Sequence, residues 1–241
     1  MQTKFISGEQ SQAIGRPRTF LNIVLDESSS MEDTATITRQ AYNDFIRQQR
    51  EASAQSNDEV FVTLTKFSYA RRVQTVYAHT PLADVPALTG LNYRPDGMTA
   101  LYDGIWAAID AMEKKVGEHA RVLTLVITDG DENDSEVVTS LGELRKIIES
   151  REERGNWTFV FLSAGSNPYA TAQGMGFKIG NVQSYRQSDV GNALVRVSKA
   201  VADYRKGDTM QTGTFWTGEP DKHERPDWVT TPADADVEDV V

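Results

Sequence analysis

Three oxygen-bearing side chains stand at alternate positions where an apolar run stops: Phe20-Leu21-Asn22-Ile23-Val24-Leu25 is followed by Asp26-Glu27-Ser28-Ser29-Ser30. In extended backbone, positions i, i+2 and i+4 share one side, and a curled loop also lets Asp26, Ser28 and Ser30 converge. One carboxylate and two hydroxyls are hard oxygen donors. They suit a divalent cation such as Mg²⁺, which takes about six oxygens near 2.0–2.1 Å and keeps some of its waters. Two distant segments offer further donors. Thr99, in Asp96-Gly97-Met98-Thr99-Ala100-Leu101, lies where a loop enters a helix, and Asp129 ends a second apolar run, Leu123-Thr124-Leu125-Val126-Ile127-Thr128. Open parallel sheets bind ligands outside the carboxyl ends of their strands. Two strands ending in Asp26 and Asp129 therefore place both carboxylates on one rim.

The pattern Asp26-x-Ser28-x-Ser30, Thr99 in a Gly-x-Thr-x-Leu setting and Asp129 in Thr-Asp-Gly resembles the von Willebrand factor A domain with its metal-ion-dependent adhesion site, in a compact bacterial or phage form. The resemblance runs from about Arg18 to Arg205. It implies a metal held by Asp26, Ser28, Ser30, Thr99 and Asp129, some of them acting through water. It also implies one coordination position left open to solvent, where a partner's Asp or Glu binds. Mg²⁺ is the expected ion, with Mn²⁺ or Ca²⁺ as alternatives. A cation held by only two formal carboxylates keeps enough electrophilicity to attract an incoming anion, so the site reads as a latch for an acidic residue.

Bulk properties narrow the setting. The 241 residues contain no cysteine, which excludes disulfides and thiolate metal sites and fits a reducing compartment. A net charge of −10 argues against nonspecific nucleic-acid binding, which depends on Lys and Arg neutralising phosphates. No stretch approaches the ~20 apolar residues of a membrane span, and Met1 to Gly15 lacks the apolar core of a secretory leader. These features lead to an expectation of a cytoplasmic location, or one within a viral particle.

The elements alternate. Apolar Ile37, Ala41, Phe45 and Ile46 give a surface helix over 34–54. Two β-rich runs, 59–67 and 71–77, are joined by only three residues, too few for a parallel crossover, so the second is an antiparallel edge strand. A helix over 99–115, a buried parallel strand over 121–128, a helix over 137–154, a strand over 157–162, a turn over 164–168 into a short helix ending near Gly174 to Gly176, a short strand over 177–179 and a helix over 189–205 follow. The fold class is α/β: a doubly wound, mostly parallel sheet with one antiparallel edge strand and helices on both faces. Residues 1–17 read as an N-terminal arm, 18–205 as the domain and 206–241 as an acidic tail, whose nine acidic residues outnumber three basic ones. Phe215, Trp216 and Trp228 are candidates to dock that tail on the domain or on a partner. Asp234 to Asp239 is a candidate to occupy the metal of its own or a neighbouring copy.

Other readings fit less well. The acidic run Asp129-Gly130-Asp131-Glu132-Asn133-Asp134 lacks the glycine that an EF-hand requires at its sixth position, and it reads instead as a solvated turn capping the helix after it. Aspartyl-phosphate phosphatases resemble Asp-x-Asp rather than this motif, and no phosphate-binding loop or Gly-x-Ser-x-Gly turn is present. His79, His119 and His223 lack metal spacing and read as surface residues. The expectation is a non-enzymatic interaction module. The alternative is a structural subunit of a multi-protein assembly, such as a phage virion, in which the metal only rigidifies the domain.

Overall fold

The computed structural model describes residues 18–56, 58–117, 120–207 and 209–216. Its centre is β1 (Arg18–Asp26), flanked in parallel by β2 (Val60–Phe67) and by β4 (Ala120–Thr128). β3 (Gln74–Pro81) follows β2 antiparallel at one edge; β5 (Trp157–Ser163) and β6 (Val182–Ser184) extend the other side in parallel, giving the order β3-β2-β1-β4-β5-β6. Every residue of β4 is buried, as the continuous apolar run requires of a strand covered on both faces.

The strand period of two decides what each face carries. Leu21, Ile23 and Leu25 pack with Tyr42, Phe45 and Ile46 of α1 (Ala35–Ser56) and with Leu194, Val197 and Val201 of α5 (Val190–Lys206). Phe20 and Val24 pack on the other side with Leu101, Ile105 and Ile109 of α2 (Leu101–Glu113) and Leu144 of α3 (Leu141–Glu152), where α4 (Pro168–Gly174) adds Tyr169 and Ala172. Asp26 continues the even-numbered face. It is therefore aimed at the side where α2 begins and where Thr99 enters.

Three expected boundaries move. Residues 131–140 are loop rather than helix, and α3 begins after Ser140, whose hydroxyl accepts from Glu143 N–H. The last strand is not 177–179 but Val182–Ser184: Phe177 is buried against Phe159 and Phe161, while the backbone beside it passes through Gly176 at φ +95 and a 3-10 turn. β3 starts later and runs further than expected, since residues 70–72 form a 3-10 turn. His79 on β3 is half-buried, edge-on to the Phe20 ring, rather than a surface residue; His119 and His223 lie outside the described residues.

Residues 209–216, after α5, stay packed on the domain. Buried Arg121, at the start of β4, donates to the carbonyls of Tyr204, Arg205, Gly207 and Thr209. It thereby satisfies carbonyls that the helix end leaves without intrahelical partners and complements the negative end of the helix dipole. Gln211 then donates to the carbonyls of Glu152 and Trp157, Thr212 N–H to the Thr158 hydroxyl, and Phe215 N–H to Asn181. Gly213 passes so close to Gly180 that a Cβ there would collide with the backbone. Phe215 is buried against the rings of Tyr204 and Trp216. Two of the three aromatics expected to dock thus pack on the domain, and Trp228 lies outside the described residues.

Candidate metal centre

The end of β1 curls at once. Ser28 N–H donates to Asp26 Oδ1 at 2.7 Å, and Ser29–Met31 form a 3-10 turn pinned by buried Met31. The convergence of Asp26, Ser28 and Ser30 is therefore achieved by a turn rather than by extended backbone. Ser28 Oγ lies 3.0 Å from Ser30 Oγ, and Ser30 Oγ donates to Asp129 Oδ1 at 2.6 Å, across 99 residues of sequence. Gly130 closes the arrangement: a Cβ on it would lie 3.3 Å from Thr99 Oγ1 and 3.7 Å from Ser30 Oγ. All five positions thus converge on one rim. A side chain at position 130 would project between the hydroxyls.

Thr99 is not the cap of α2. The capping position is Ala100, and no side chain of its own caps the helix. Asn133 instead holds Thr99 by a reciprocal pair, its Oδ1 accepting from Thr99 N–H at 2.7 Å and its N–H donating to the Thr99 carbonyl at 3.0 Å. Glu132 accepts from Tyr102 N–H and the Ser135 hydroxyl accepts from Asp103 N–H, so the free donors at the start of α2 are met from the 131–138 loop. Buried Asp103 returns the favour by accepting from the N–H groups of Glu136, Val137 and Val138. Asp134 accepts from Ala70 N–H. The acidic run therefore serves α2 and the turn after β2, not the helix that follows it as the sequence suggested.

Two further residues, Tyr93 and Tyr185, were not foreseen. Their hydroxyls donate to the carbonyls of Asp26 and Thr128 at 2.8 and 3.1 Å, at the ends of the two strands that deliver the carboxylates. Neither carries a local sequence signal, because each is placed by packing from a loop far along the chain.

The electrostatics distinguish two neighbouring acids. Glu27 is 2% exposed, yet Lys66 Nζ stands 3.0 Å away and Arg72 3.5 Å away. Asp26 is 0% exposed, and among the described residues no Lys or Arg pairs with it or with Asp129. Burial pushes the Asp26 carboxyl up to about 6, against hydrogen bonds from Ser28 and Thr128, and the like charge of Asp129 adds to the rise. Asp129 is also raised, chiefly by burial, with hydrogen bonds from Ser30 and Gln187 opposing. An ionised carboxylate in a poorly solvated place needs a compensating cation. Protein cations supply it for Glu27 and not for Asp26. Among the described residues no group of three or more His, Cys, Asp or Glu is placed to hold a metal ion. The donor set is two carboxylates plus hydroxyls, which fits a hard divalent ion that keeps some of its water.

A mostly parallel sheet flanked by helices, with ligand-competent oxygens on its carboxyl rim, defines the class as a doubly wound α/β domain. The von Willebrand factor type A domain profile matches residues 21–203, and the chain belongs to that family. Among curated proteins none matches. Solved structures that share the fold include the pilus adhesin SpaC of Lactobacillus rhamnosus GG, at 14% identity and TM-score 0.60 over 78% of this chain and 30% of that one. The PilB minor pilin of Streptococcus sanguinis aligns at 12% identity and TM-score 0.55, covering 79% and 63%. Proximal thread matrix protein 1 of the mussel byssus, in a form with a zinc-occupied MIDAS motif, aligns at 14% and 0.52, covering 79% and 48%. This chain thus spans 30% to 63% of their lengths.

These relatives correct one expectation. They are extracellular pilus and byssus proteins, which overturns the cytoplasmic or within-particle location inferred from the absence of cysteine and of a leader-like apolar core. A cysteine-free chain is equally compatible with an oxidising setting. Among the described residues no helix is long and apolar enough to cross a membrane.

Proposed function

We propose that this domain is a metal-dependent protein-interaction module, the role that von Willebrand factor type A domains commonly fill. Asp26, Ser28, Ser30, Thr99 and Asp129 hold a divalent cation, Mg²⁺ in the first instance, and its open position takes an Asp or Glu from a protein partner. The observation that carries this reading is the pair of burial-raised carboxylates without a protein cation, beside a Glu27 that has two. When bound, the cation supplies electrostatic attraction for a carboxylate. The residues' part is to fix the donors and leave the exposed Ser30 side of the rim accessible.

Calorimetric titration of Mg²⁺ and Mn²⁺ into EDTA-treated protein, wild type beside Asp26→Ala, is the direct test. Saturable binding abolished in the variant is the expected result; no binding by the wild type removes the reading. Proton and cation compete for Asp26, so the apparent affinity should weaken as pH falls below about 6, by roughly tenfold per unit once that group is protonated. An affinity constant from pH 7.5 to pH 5 would contradict the assignment of Asp26 as a ligand.

The acidic tail is a specific candidate for the partner carboxylate. Because residues up to Trp216 pack on the domain, the informative truncation removes 217–241 and keeps the docked segment. The expected effect is tighter binding of an added acidic peptide in Mg²⁺, or dissociation of an oligomer seen by light scattering. If neither changes, the tail is not the ligand.

A further inference from the structure

Gln187 opens the 3-10 turn Gln187–Asp189 that leads into α5, and the metal motif does not include it. Its side-chain Nε2 donates to Asp129 Oδ2 at 2.5 Å and to the main-chain carbonyl of Ser30 at 2.6 Å. Neither acceptor belongs to the inner chain of contacts, which runs from Ser28 Oγ through Ser30 Oγ to Asp129 Oδ1. The amide thus grips the two halves of the rim from outside and leaves the inner oxygens free. One half comes from the loop after β1 and the other from the end of β4; the Thr128 hydroxyl joins them within the sheet, through Asp26 and Gly130, and Gln187 joins them from outside it. Donating to Oδ2 also orients the carboxylate so that Oδ1 faces the hydroxyls. A carboxylate that can rotate spends part of its time with neither oxygen correctly placed, at a cost to any ion it is to hold.

We propose that Gln187 is a positioning residue of the metal centre, clamping the Asp129 carboxylate and the Ser30 backbone in the arrangement that receives the cation. This rests on the metal reading above. It separates Gln187 from the ligands, since the atom that grips the rim is an amide N–H donor, which cannot coordinate a cation, and it assigns the turn before α5 a part in the site.

The test uses the full chain, stripped with EDTA and titrated with Mg²⁺ and separately with Mn²⁺, comparing wild type, Gln187→Ala and Gln187→Met. Methionine keeps the length of the stem and removes the donor, which separates hydrogen bonding from packing. Both variants are expected to bind about 10–100-fold more weakly, the usual effect of losing an outer-shell partner. Their metal-free melting temperatures should stay close to wild type, because the side chain is exposed. Unchanged affinity in both variants overturns the proposal, wild-type affinity in Gln187→Met reduces the role to packing and also overturns it, and tighter binding would make the amide an occupant that the ion must displace. If the wild type binds neither ion, the metal reading itself fails; if the wild type binds and the variants match it, only the clamp fails.

Discussion

Replacing Asp26 by asparagine is expected to stabilise the metal-free protein while abolishing its response to Mg²⁺. The buried carboxyl, pushed up to about 6 from 3.8, binds more protons folded than unfolded. Its ionisation therefore costs stability progressively as pH rises from about 4 through 6, and the full penalty is present at pH 7. A shift of that size corresponds to about 3 kcal/mol, on the order of 6–12 °C in melting temperature for a domain this long. Asparagine fits the same hydrogen bonds: its oxygen accepts from Ser28 N–H as Asp26 Oδ1 does, and its NH₂ faces the Thr128 hydroxyl, which also reaches the Gly130 carbonyl. Thermal unfolding in EDTA and in saturating Mg²⁺, from pH 4 to 7.5, measures both parts. The gap between variant and wild type in EDTA should widen with pH, and Mg²⁺ should raise the wild type alone. A metal-free variant less stable than wild type at pH 7 would show that the hydrogen bonds of the carboxylate outweigh its burial.

The second large effect lies far from the rim. Arg205 of α5 and Asp58, just ahead of β2, form an ion pair at 2.8 Å with side chains 2% and 1% exposed. Gln49 adds its side-chain oxygen to Arg205 at 2.7 Å, and Asp58 also accepts from Ser53 and Ser56. Burial pushes the Asp58 carboxyl up, but the bonds from Arg205, Ser56 and Ser53 outweigh it and hold the group below its ordinary value. The pair thus stabilises the fold above about pH 4 and is lost as pH falls through the folded value. Asp58→Ala leaves a guanidinium buried without its counter-charge, at a cost of roughly 3–5 kcal/mol. Urea unfolding at pH 7 measures it, and the double change Asp58→Leu with Arg205→Met should recover most of the loss. A single-variant cost below about 1 kcal/mol would mean that water reaches the site.

Much of this was legible because the strands are buried on both faces. Continuous apolar runs marked β1, β4 and β5, and a three-residue link fixed β3 as antiparallel. The five rim positions could be read for the same reason: each lies directly at a strand end or a helix entry, where local sequence dictates direction. What escaped reading depended on the third dimension. Tyr93, Asn133, Tyr185 and Gln187 reach the site from loops whose positions are set by packing, and nothing local distinguishes Gln187 from any exposed glutamine. The misplacement of α3 has a similar cause. Val137 fits a helical spacing, but the backbone N–H groups of residues 136–138 are claimed by the buried carboxylate of Asp103, which holds the chain in a loop until Ser140 can cap. Phe177 misled in the opposite sense, since it is buried by ring contacts without joining a strand.

The position of β1 at the centre of the sheet determines how the domain carries a load. Arg18 begins β1 and pairs with Ala120, the first residue of β4, while Trp216 N–H donates to the Gly180 carbonyl just before β6. Arg18 therefore lies at the pole where the strands start, Trp216 lies level with the middle of the sheet because Val182, two residues after Gly180, pairs with Phe161, and the rim of Asp26 and Asp129 lies at the pole where the strands finish. A pull applied at Arg18 acts on the base of the domain, opposite the rim. Tension between Arg18 and a load on the rim would run along the covalent backbone of β1 where it enters through Asp26, while the share entering through Asp129 would load the β1–β4 ladder in shear, so that many hydrogen bonds share that part of the force instead of opening one after another.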